Sequence, residues 1–255
     1  MQSFFISMPP NGEPPSRVLI FLHGFGEAFN PVSEAEAAAI PQPGQMSRYL
    51  GAGNLFREGV PLILSQPEVA VPSWAQARLE SPPSSLPLFD SFLTIAPQQA
   101  RRPDMHNRQL IHEMLDRSCA IARTFVAQPR IAIMGFSMGG FASFLLAERP
   151  EVRAVVAMEA PPAEDGADGF AARVSSLRTP FWSFYTDYDR QSKFFPISAM
   201  HRAITVPEVP FGSVPGEHQC KTFMAPRGSD LERHSLVCNE VCRSDAVYHW
   251  MLRYL

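Results

Sequence analysis

The chain has few cysteines, and this excludes one class of small secreted protein. Cys119, Cys220, Cys238 and Cys242 are the four cysteines among 255 residues. They are too few and too unevenly spaced for the disulfide framework of a secreted mini-protein. Their number suits a reduced compartment better, and we predict a cytoplasmic protein.

The sequence also lacks a charge surplus and long apolar runs. Its 22 Lys and Arg residues face 25 Asp and Glu residues, which gives a formal net charge of −3 at pH 7. This balance offers no basic surface for nucleic acid or an anionic membrane. The apolar runs are no longer than strands, and the first residues have neither a basic segment nor an apolar segment of secretory length. We therefore expect no nucleic-acid partner, no stable membrane insertion and no leader.

Proline is the residue in surplus, with 25 copies in the chain, about twice the usual share of roughly 5%. Segment 27–90 is rich in proline and shows no regular periodicity. A loop region of this length in a compact domain is typically a lid, a binding wall or a disordered segment.

With 45% hydrophobic residues, the chain can bury one sizeable core. We predict a single domain over 1–255, with 27–90 as a loop-rich insertion on the substrate side.

Apolar runs of strand length alternate with segments of helical periodicity along most of the chain. Strands are predicted at 3–6, 18–22, 92–96, 131–134, 152–158, 181–185 and 219–224, and a turn at 9–15 could return the chain antiparallel to the first of them. In a helix over 107–126, the inward-facing residues are Ile111, Met114, Leu115, Ser118, Cys119, Ala122 and Phe125. In a closing helix over 240–255, they are Val241, Val247, Trp250, Met251 and Tyr254. The alternation predicts an α/β protein, with a mainly parallel sheet covered by helices on both faces.

The central motif lies in residues 130–147, which read RIAIMGFSMGGFASFLLA. A short apolar run is followed by GFSMG at 135–139 and then by helix-forming residues, a pattern that predicts a strand, a sharp turn and a helix. A serine between two glycines at such a junction is typical of a nucleophile elbow, where a tight bend exposes the hydroxyl group. A Cβ at either glycine would collide with a neighbouring strand or helix. Ser137 is therefore the candidate nucleophile.

A second glycine-rich turn, HGFG at 23–26, follows the strand predicted at 18–22. Acyl-transfer enzymes need two backbone N–H groups directed at one oxyanion. We expect these donors to be Met138 N–H, directly after the candidate nucleophile, and Phe25 N–H in the HGFG turn. His23 is interpreted as a packed, hydrogen-bonded residue that holds the loop rather than one that transfers protons.

A serine hydroxyl becomes a strong nucleophile only when a base accepts its proton and a third group orients that base. His234 follows the strand predicted at 219–224, and Asp187 and Asp189 follow the strand at 181–185. Nucleophile, acid and histidine then occur in the chain order found in α/β-hydrolases. All lie at the carboxyl ends of predicted strands, where open α/β sheets bind their ligands. Residue alternation cannot choose between the two aspartates, because side chains two apart on an extended segment point the same way.

Several segments together resemble a known family. LIFLHGFGE, FLTIAPQQ, RIAIMGFSMGGFASFLLAERPE, TPFWSFYTDYD and a late RHS before YHWML are similar to the phospholipase/carboxylesterase branch of the α/β-hydrolases. That branch includes acyl-protein thioesterases and predicted-peptidase and feruloyl-esterase-like proteins. The resemblance leaves out most of 27–90 and 211–217. It implies an α/β-hydrolase fold in which Ser137 is the nucleophile, His234 the base, and Phe25 and Met138 the oxyanion donors.

The sequence departs from that family at two places. The acid strand of such proteins typically ends in a Gly-x-x-Asp turn, whereas Thr186 stands at the glycine position here. The histidine is usually preceded by glycine, whereas Arg233 precedes His234. Because the related turn presents its acid at the fourth position, the resemblance favours Asp189 as the triad acid. Asp187 would then accept backbone N–H groups and shape the bend.

These residues predict a serine hydrolase that cleaves short-chain or aromatic acyl esters, the small-molecule ester being its substrate, without a metal or organic cofactor. The oligomeric state is left open. An acyl-protein thioesterase, a peptidase-like hydrolase and a catalytically idle binding protein of the same fold are the alternatives.

A zinc site is a further alternative, since His234, Cys238 and Cys242 follow one another at four-residue spacing. We favour the interpretation of these cysteines as small hydrophobes. Glu159 lies near the expected site but receives no role.

Overall fold

A computed structural model describes the sheet and the helices that pack on it. The described residues are 4–8, 15–24, 91–98, 107–160, 176–186, 218–223, 237–238 and 241–255. The insertion predicted at 27–90 lies outside them. The prediction of one domain over 1–255 therefore stays a prediction.

The described residues form one seven-stranded sheet. Its strands are β1 Phe4–Ser7, β2 Arg17–Leu22, β3 Leu93–Pro97, β4 Arg130–Phe136, β5 Val152–Met158, β6 Phe181–Thr186 and β7 His218–Phe223. The spatial order is β1-β3-β2-β4-β5-β6-β7. β1 pairs with β3 in antiparallel fashion, and the other neighbours are parallel. This confirms the mainly parallel sheet. β2 runs opposite to β1, but β3 lies between them, and residues 9–14 of the predicted turn lie outside the described residues.

Helices cover both faces of the sheet, as predicted. On β2, Val18 and Ile20 belong to one core cluster, and Leu19 and Phe21 belong to the other. The first cluster packs under α1 Arg108–Phe125 and α2 Met138–Leu146. The second packs under α3 Asp245–Leu252 and the residues before it. Strands buried on both faces become continuous apolar runs in the sequence, and this is why they could be located.

Helix α1 matches its predicted range and, except for its last residue, its predicted buried face. Asn107 caps the helix, since its side-chain oxygen accepts hydrogen bonds from Gln109 N at 3.0 Å and Leu110 N at 3.3 Å. Six of the seven residues expected to face inward are buried. Phe125 was wrongly placed among them, because it is 42% exposed. The helix ends there, and the extended backbone at Val126 buries the valine side chain instead.

The closing helix predicted over 240–255 is interrupted. Ser244 has an extended conformation, with φ −81° and ψ 108°, and α3 begins only at Asp245. Tyr248, which was not expected to face inward, is buried and donates its hydroxyl hydrogen to Cys242 O at 2.8 Å. The expected apolar residues are buried, except for Tyr254, which is partly buried. Among the described residues, no helix combines the length and the hydrophobicity needed to cross a membrane.

Candidate active site

Ser137 occupies a strained turn between the central strand and a buried helix. β4 ends at Phe136 and α2 begins at Met138. Between them, Ser137 has φ 54° and ψ −115°. A non-glycine residue in such a conformation costs roughly 1–3 kcal/mol. The surrounding structure holds it there, since Ser137 N–H donates to Met158 O at 2.7 Å. The strand, sharp turn and helix expected for a nucleophile elbow are therefore present.

The two glycines of the motif permit close backbone approach, as the sequence indicated. A Cβ on Gly135 would collide with the backbone of Gly139, at the start of α2. A Cβ on Gly139 would collide with the backbone of Leu22 and lie 2.6 Å from His23 O. The start of α2 is thus pressed against the end of β2 and against His23, the residue that follows it.

Gly140 is a third position of close approach, which the motif analysis missed. A Cβ there would lie 2.8 Å from Met158 O and 3.0 Å from Ala160 Cβ. Gly140 therefore lets α2 pack against the end of β5. The doubled glycine in MGG was the available sequence signal, because a glycine inside a helix that packs tightly generally has a steric reason.

Met138, one of the two predicted oxyanion donors, is the first residue of α2. The N–H groups of the first turn of a helix have no partner inside that helix. They also lie at the positive end of the helix dipole, which favours developing negative charge. The second predicted donor, Phe25, lies outside the described residues.

His23 is packed and hydrogen-bonded at the end of β2, as expected. Its Nδ1 lies 2.7 Å from Gly24 O. A carbonyl oxygen only accepts hydrogen bonds, so Nδ1 carries the proton. Complete burial lowers the pKa of His23 from 6.5 to about 4, because desolvation disfavours the imidazolium. His23 is therefore neutral at pH 7.

Glu159, which has no role in the sequence-based prediction, shows an unexpected burial and backbone conformation at the end of β5. It directly follows β5, its side chain is fully buried, and its backbone has φ 48°. Ser137 and Glu159 are the only non-glycine residues with positive φ in the described part of the chain. Glu159 N–H donates to Phe184 O on β6 at 2.8 Å. No motif marked this residue, since a carboxylate after a strand is usually exposed.

The remaining predicted site residues lie outside the described residues. These are Asp187, Asp189 and His234. The strand that precedes the aspartates ends at Thr186, one residue later than predicted, and it lies two positions from β4 in the sheet. The strand that precedes His234 is β7, the next neighbour of β6. The strands expected to precede both segments are therefore present, and the triad itself stays a prediction.

Two cysteines from the alternative zinc site lie in an apolar setting. Cys238 and Cys242 are both buried, with their sulfur atoms 4.0 Å apart. The sulfur of Cys242 also lies 3.5 Å from that of Met134 on β4. Both belong to the core cluster under α3. These surroundings suit small hydrophobic side chains, and the third suggested ligand, His234, lies outside the described residues.

Comparison with known proteins identifies the fold. No family model and no curated protein matches the chain. Among solved structures, an esterase from Pyrococcus furiosus is 10% identical, with a TM-score of 0.53 over 94% of this chain and 84% of that one. An esterase from Butyrivibrio proteoclasticus with bound ferulic acid is 14% identical, with a TM-score of 0.51 over 99% and 95%. An acylaminoacyl peptidase from Pyrococcus horikoshii is 10% identical, with a TM-score of 0.51 over 99% of this chain and 39% of that one. The chain has the α/β-hydrolase fold, as its sequence predicted.

Proposed function

We propose that this protein is a serine hydrolase that cleaves carboxylic esters through an acyl-serine intermediate. The observation that best supports this is the conformation of Ser137, at φ 54° and ψ −115° between β4 and α2. Ser137 could cap α2, yet it makes no side-chain capping hydrogen bond. Strain of this kind clusters at functional sites, where the surrounding structure maintains it.

In the proposed mechanism, Ser137 Oγ attacks the ester carbonyl carbon while His234 accepts the hydroxyl proton. Asp189 orients the imidazole and stabilises the imidazolium. Met138 N–H and Phe25 N–H stabilise the tetrahedral oxyanion. His234 then returns the proton to the leaving alcohol, and water, activated by the same histidine, releases the acid and restores Ser137. The residues carry out each step without a metal or an organic cofactor.

We further propose that the substrates are short-chain or aromatic acyl esters. No strongly apolar helix can be identified in the sequence of segment 27–90, so long acyl chains have no evident cover. The Butyrivibrio proteoclasticus esterase, which binds ferulic acid, is a structural neighbour compatible with an aromatic acyl group. A cytoplasmic location is part of the proposal, because the four cysteines of the chain are too few and too unevenly spaced for the disulfide framework of a secreted mini-protein.

Thioesterase and peptidase activities would use the same machinery, so acyl and leaving-group specificity must be measured directly. Matched oxyester, thioester and amide substrates with graded acyl chains should show the highest kcat/KM for short or aromatic oxyesters. A tenfold preference for chains of twelve or more carbons, about 1.4 kcal/mol in transition-state binding, would contradict the short-chain proposal.

Covalent labelling tests the nucleophile. A fluorophosphonate should label the wild-type protein at one site, and mass spectrometry should place the adduct on Ser137. Ser137→Ala should abolish labelling and reduce kcat by roughly 10⁶-fold, as loss of a serine nucleophile does elsewhere. Ser143→Ala is the matched control, because Ser143 lies on α2 and its hydroxyl donates to Gly140 O at 2.7 Å. An adduct on another residue would refute the assignment, and an unlabelled, inactive protein would favour the idle binding protein.

A further inference from the structure

Met138 has the one partly exposed side chain in the segment around the candidate nucleophile. The structure describes all of residues 131–147, and every other residue in that range is buried. Ser137 itself is only 7% exposed. Met138 is bonded directly to it, with the two Cα atoms about 3.8 Å apart. A molecule that reaches the Ser137 hydroxyl from solvent therefore passes close to the Met138 side chain.

The two glycines that follow Met138 fix the direction of its side chain. A Cβ on Gly139 would collide with the end of β2, and a Cβ on Gly140 would lie 2.8 Å from the last carbonyl oxygen of β5. These two positions of α2 therefore face the sheet. Successive residues of a helix are about 100° apart around its axis, so Met138 points away from both strands. Helical side chains also lean toward the amino end of their helix, which is where Ser137 lies.

The exposure on this side of α2 is confined to its first residue. Ala142 and Leu145 lie on the same side, four and seven residues further along, and both are buried. Acidic side chains are favoured in the first turn of a helix, and α2 has none there. A partly exposed apolar residue at this position suits contact with an apolar group of a ligand.

We infer that the Met138 side chain contacts the acyl group of an ester bound at Ser137 and favours aromatic acyl groups over small ones. The inference rests on the proposed function and assigns a residue to its acyl specificity. A methionine side chain is unbranched, so it can adjust to the shape of an acyl group. Its polarizable sulfur also forms favourable contacts with aromatic rings.

Two esters with one leaving group test this contact. p-Nitrophenyl benzoate and p-nitrophenyl acetate differ only in the acyl group, and the quantity measured is the ratio of their kcat/KM values, benzoate over acetate. Met138→Ala should lower this ratio by about tenfold, because the lost contacts serve the aromatic ring. A disturbance of the Met138 N–H would slow both esters alike and would cancel in the ratio.

A conservative variant and a distant methionine complete the experiment. Met138→Leu should keep the ratio within about threefold of the wild type, because leucine has a similar volume and lacks only the sulfur contact. Met8→Ala is the matched control, since Met8 is an exposed methionine. It follows β1, which runs antiparallel to β3, so it lies at the opposite edge of the sheet from Ser137. Met8→Ala should leave the ratio unchanged.

An unchanged ratio in Met138→Ala, whether both rates persist or fall together, would overturn the inference. A raised ratio would also overturn it, because Met138 would then obstruct aromatic acyl groups. Loss of the folded state in Met138→Ala, measured by thermal unfolding, would make Met138 a structural residue and would likewise overturn the inference.

Fluorophosphonate labelling of the wild-type protein keeps the two proposals distinct. A labelled Ser137 together with an unchanged ratio in Met138→Ala would refute only the role of Met138. An unlabelled Ser137 would refute the proposed function and this inference together.

Discussion

The two helices on one face of the sheet begin in opposite ways. Helix α1 starts at Asn107, which has an ordinary extended conformation and whose side chain accepts two backbone N–H groups. Helix α2 starts after Ser137, which has positive φ and makes no side-chain capping bond. Serine and asparagine are comparably good capping residues, so the difference lies in the turn and not in the residue type.

This difference indicates which requirement shaped each helix start. The Asn107 side chain stabilises the start of α1 by capping it. This end of the helix is exposed and has no unusual backbone conformation. The start of α2 lacks a side-chain cap, has a strained backbone and packs through three glycines against other backbone segments. The surrounding core stabilises this arrangement, since its β-strands are almost completely buried. The first helix start is thus suited to stability, and the second to holding one hydroxyl group in place.

The largest expected effect beyond the nucleophile itself concerns the proposed acid. Asp189→Asn should lower kcat by roughly 10³ to 10⁴-fold while leaving the fold intact, because the imidazole would lose its orienting carboxylate. Asp187→Asn is the matched variant and should cost far less in rate. Steady-state kinetics and thermal unfolding of both proteins provide the measurement. Exchange of the two phenotypes would make Asp187 the triad acid.

Close packing at the start of α2 predicts the next largest effect. Gly139→Ala should destabilise the protein by about 3 kcal/mol, because the new methyl group would meet the backbone of Leu22 and His23, which cannot move independently of β2. Denaturant unfolding measures this change. Glu148→Ala, beyond the far end of the same helix, should have little effect. Equal stability of both variants would show that the turn can relax and that its geometry is not enforced by packing.

Burial of His23 predicts that the free energy of unfolding of the protein depends on pH. Its pKa is about 4 in the folded protein and near 6.5 when unfolded, so the unfolded chain binds the proton first as the pH falls. The free energy of unfolding should therefore decrease between pH 6.5 and 4, by about 3 kcal/mol from this group. His23→Asn retains an N–H donor for Gly24 O and should show a smaller decrease in denaturant titrations. As the control, His249→Gln replaces an exposed histidine and should keep the pH dependence of the wild type. If His23→Asn also keeps that pH dependence, His23 does not couple protonation to folding.

The smallest expected effects test the comparison of helix starts directly. Asn107→Ala should lower stability by about 1 kcal/mol through loss of the cap. Ser137→Gly should instead raise stability by about 1 kcal/mol, since relief of strain outweighs the added chain entropy, and it should abolish hydrolysis. Denaturant midpoints and esterase rates measure both. A Ser137→Gly protein less stable than wild type would contradict the claim that the turn is strained.

Much of the fold could be predicted because buried parallel strands and amphipathic helices have local signatures. The prediction for β5, 152–158, coincides with the observed Val152–Met158, and α1 ends within one residue of its predicted limits. The nucleophile turn was found because the GFSMG pattern between an apolar run and helix-forming residues is itself local in the sequence. Phe125 was misplaced because helical periodicity does not reveal that the chain turns inward at the following residue.

The sequence by itself determined the α/β class, the strand and helix segments, and the position of Ser137 between two glycines. These features depend on periodicity and on a motif, both of which span only a few residues of the sequence. Only the tertiary structure decided that β3 lies between β1 and β2, that Gly140 faces the end of β5, and that Glu159 is buried beside Ser137. Each of these depends on which distant segment packs nearby, and hydrophobic burial, being non-directional, does not encode that choice in a local pattern.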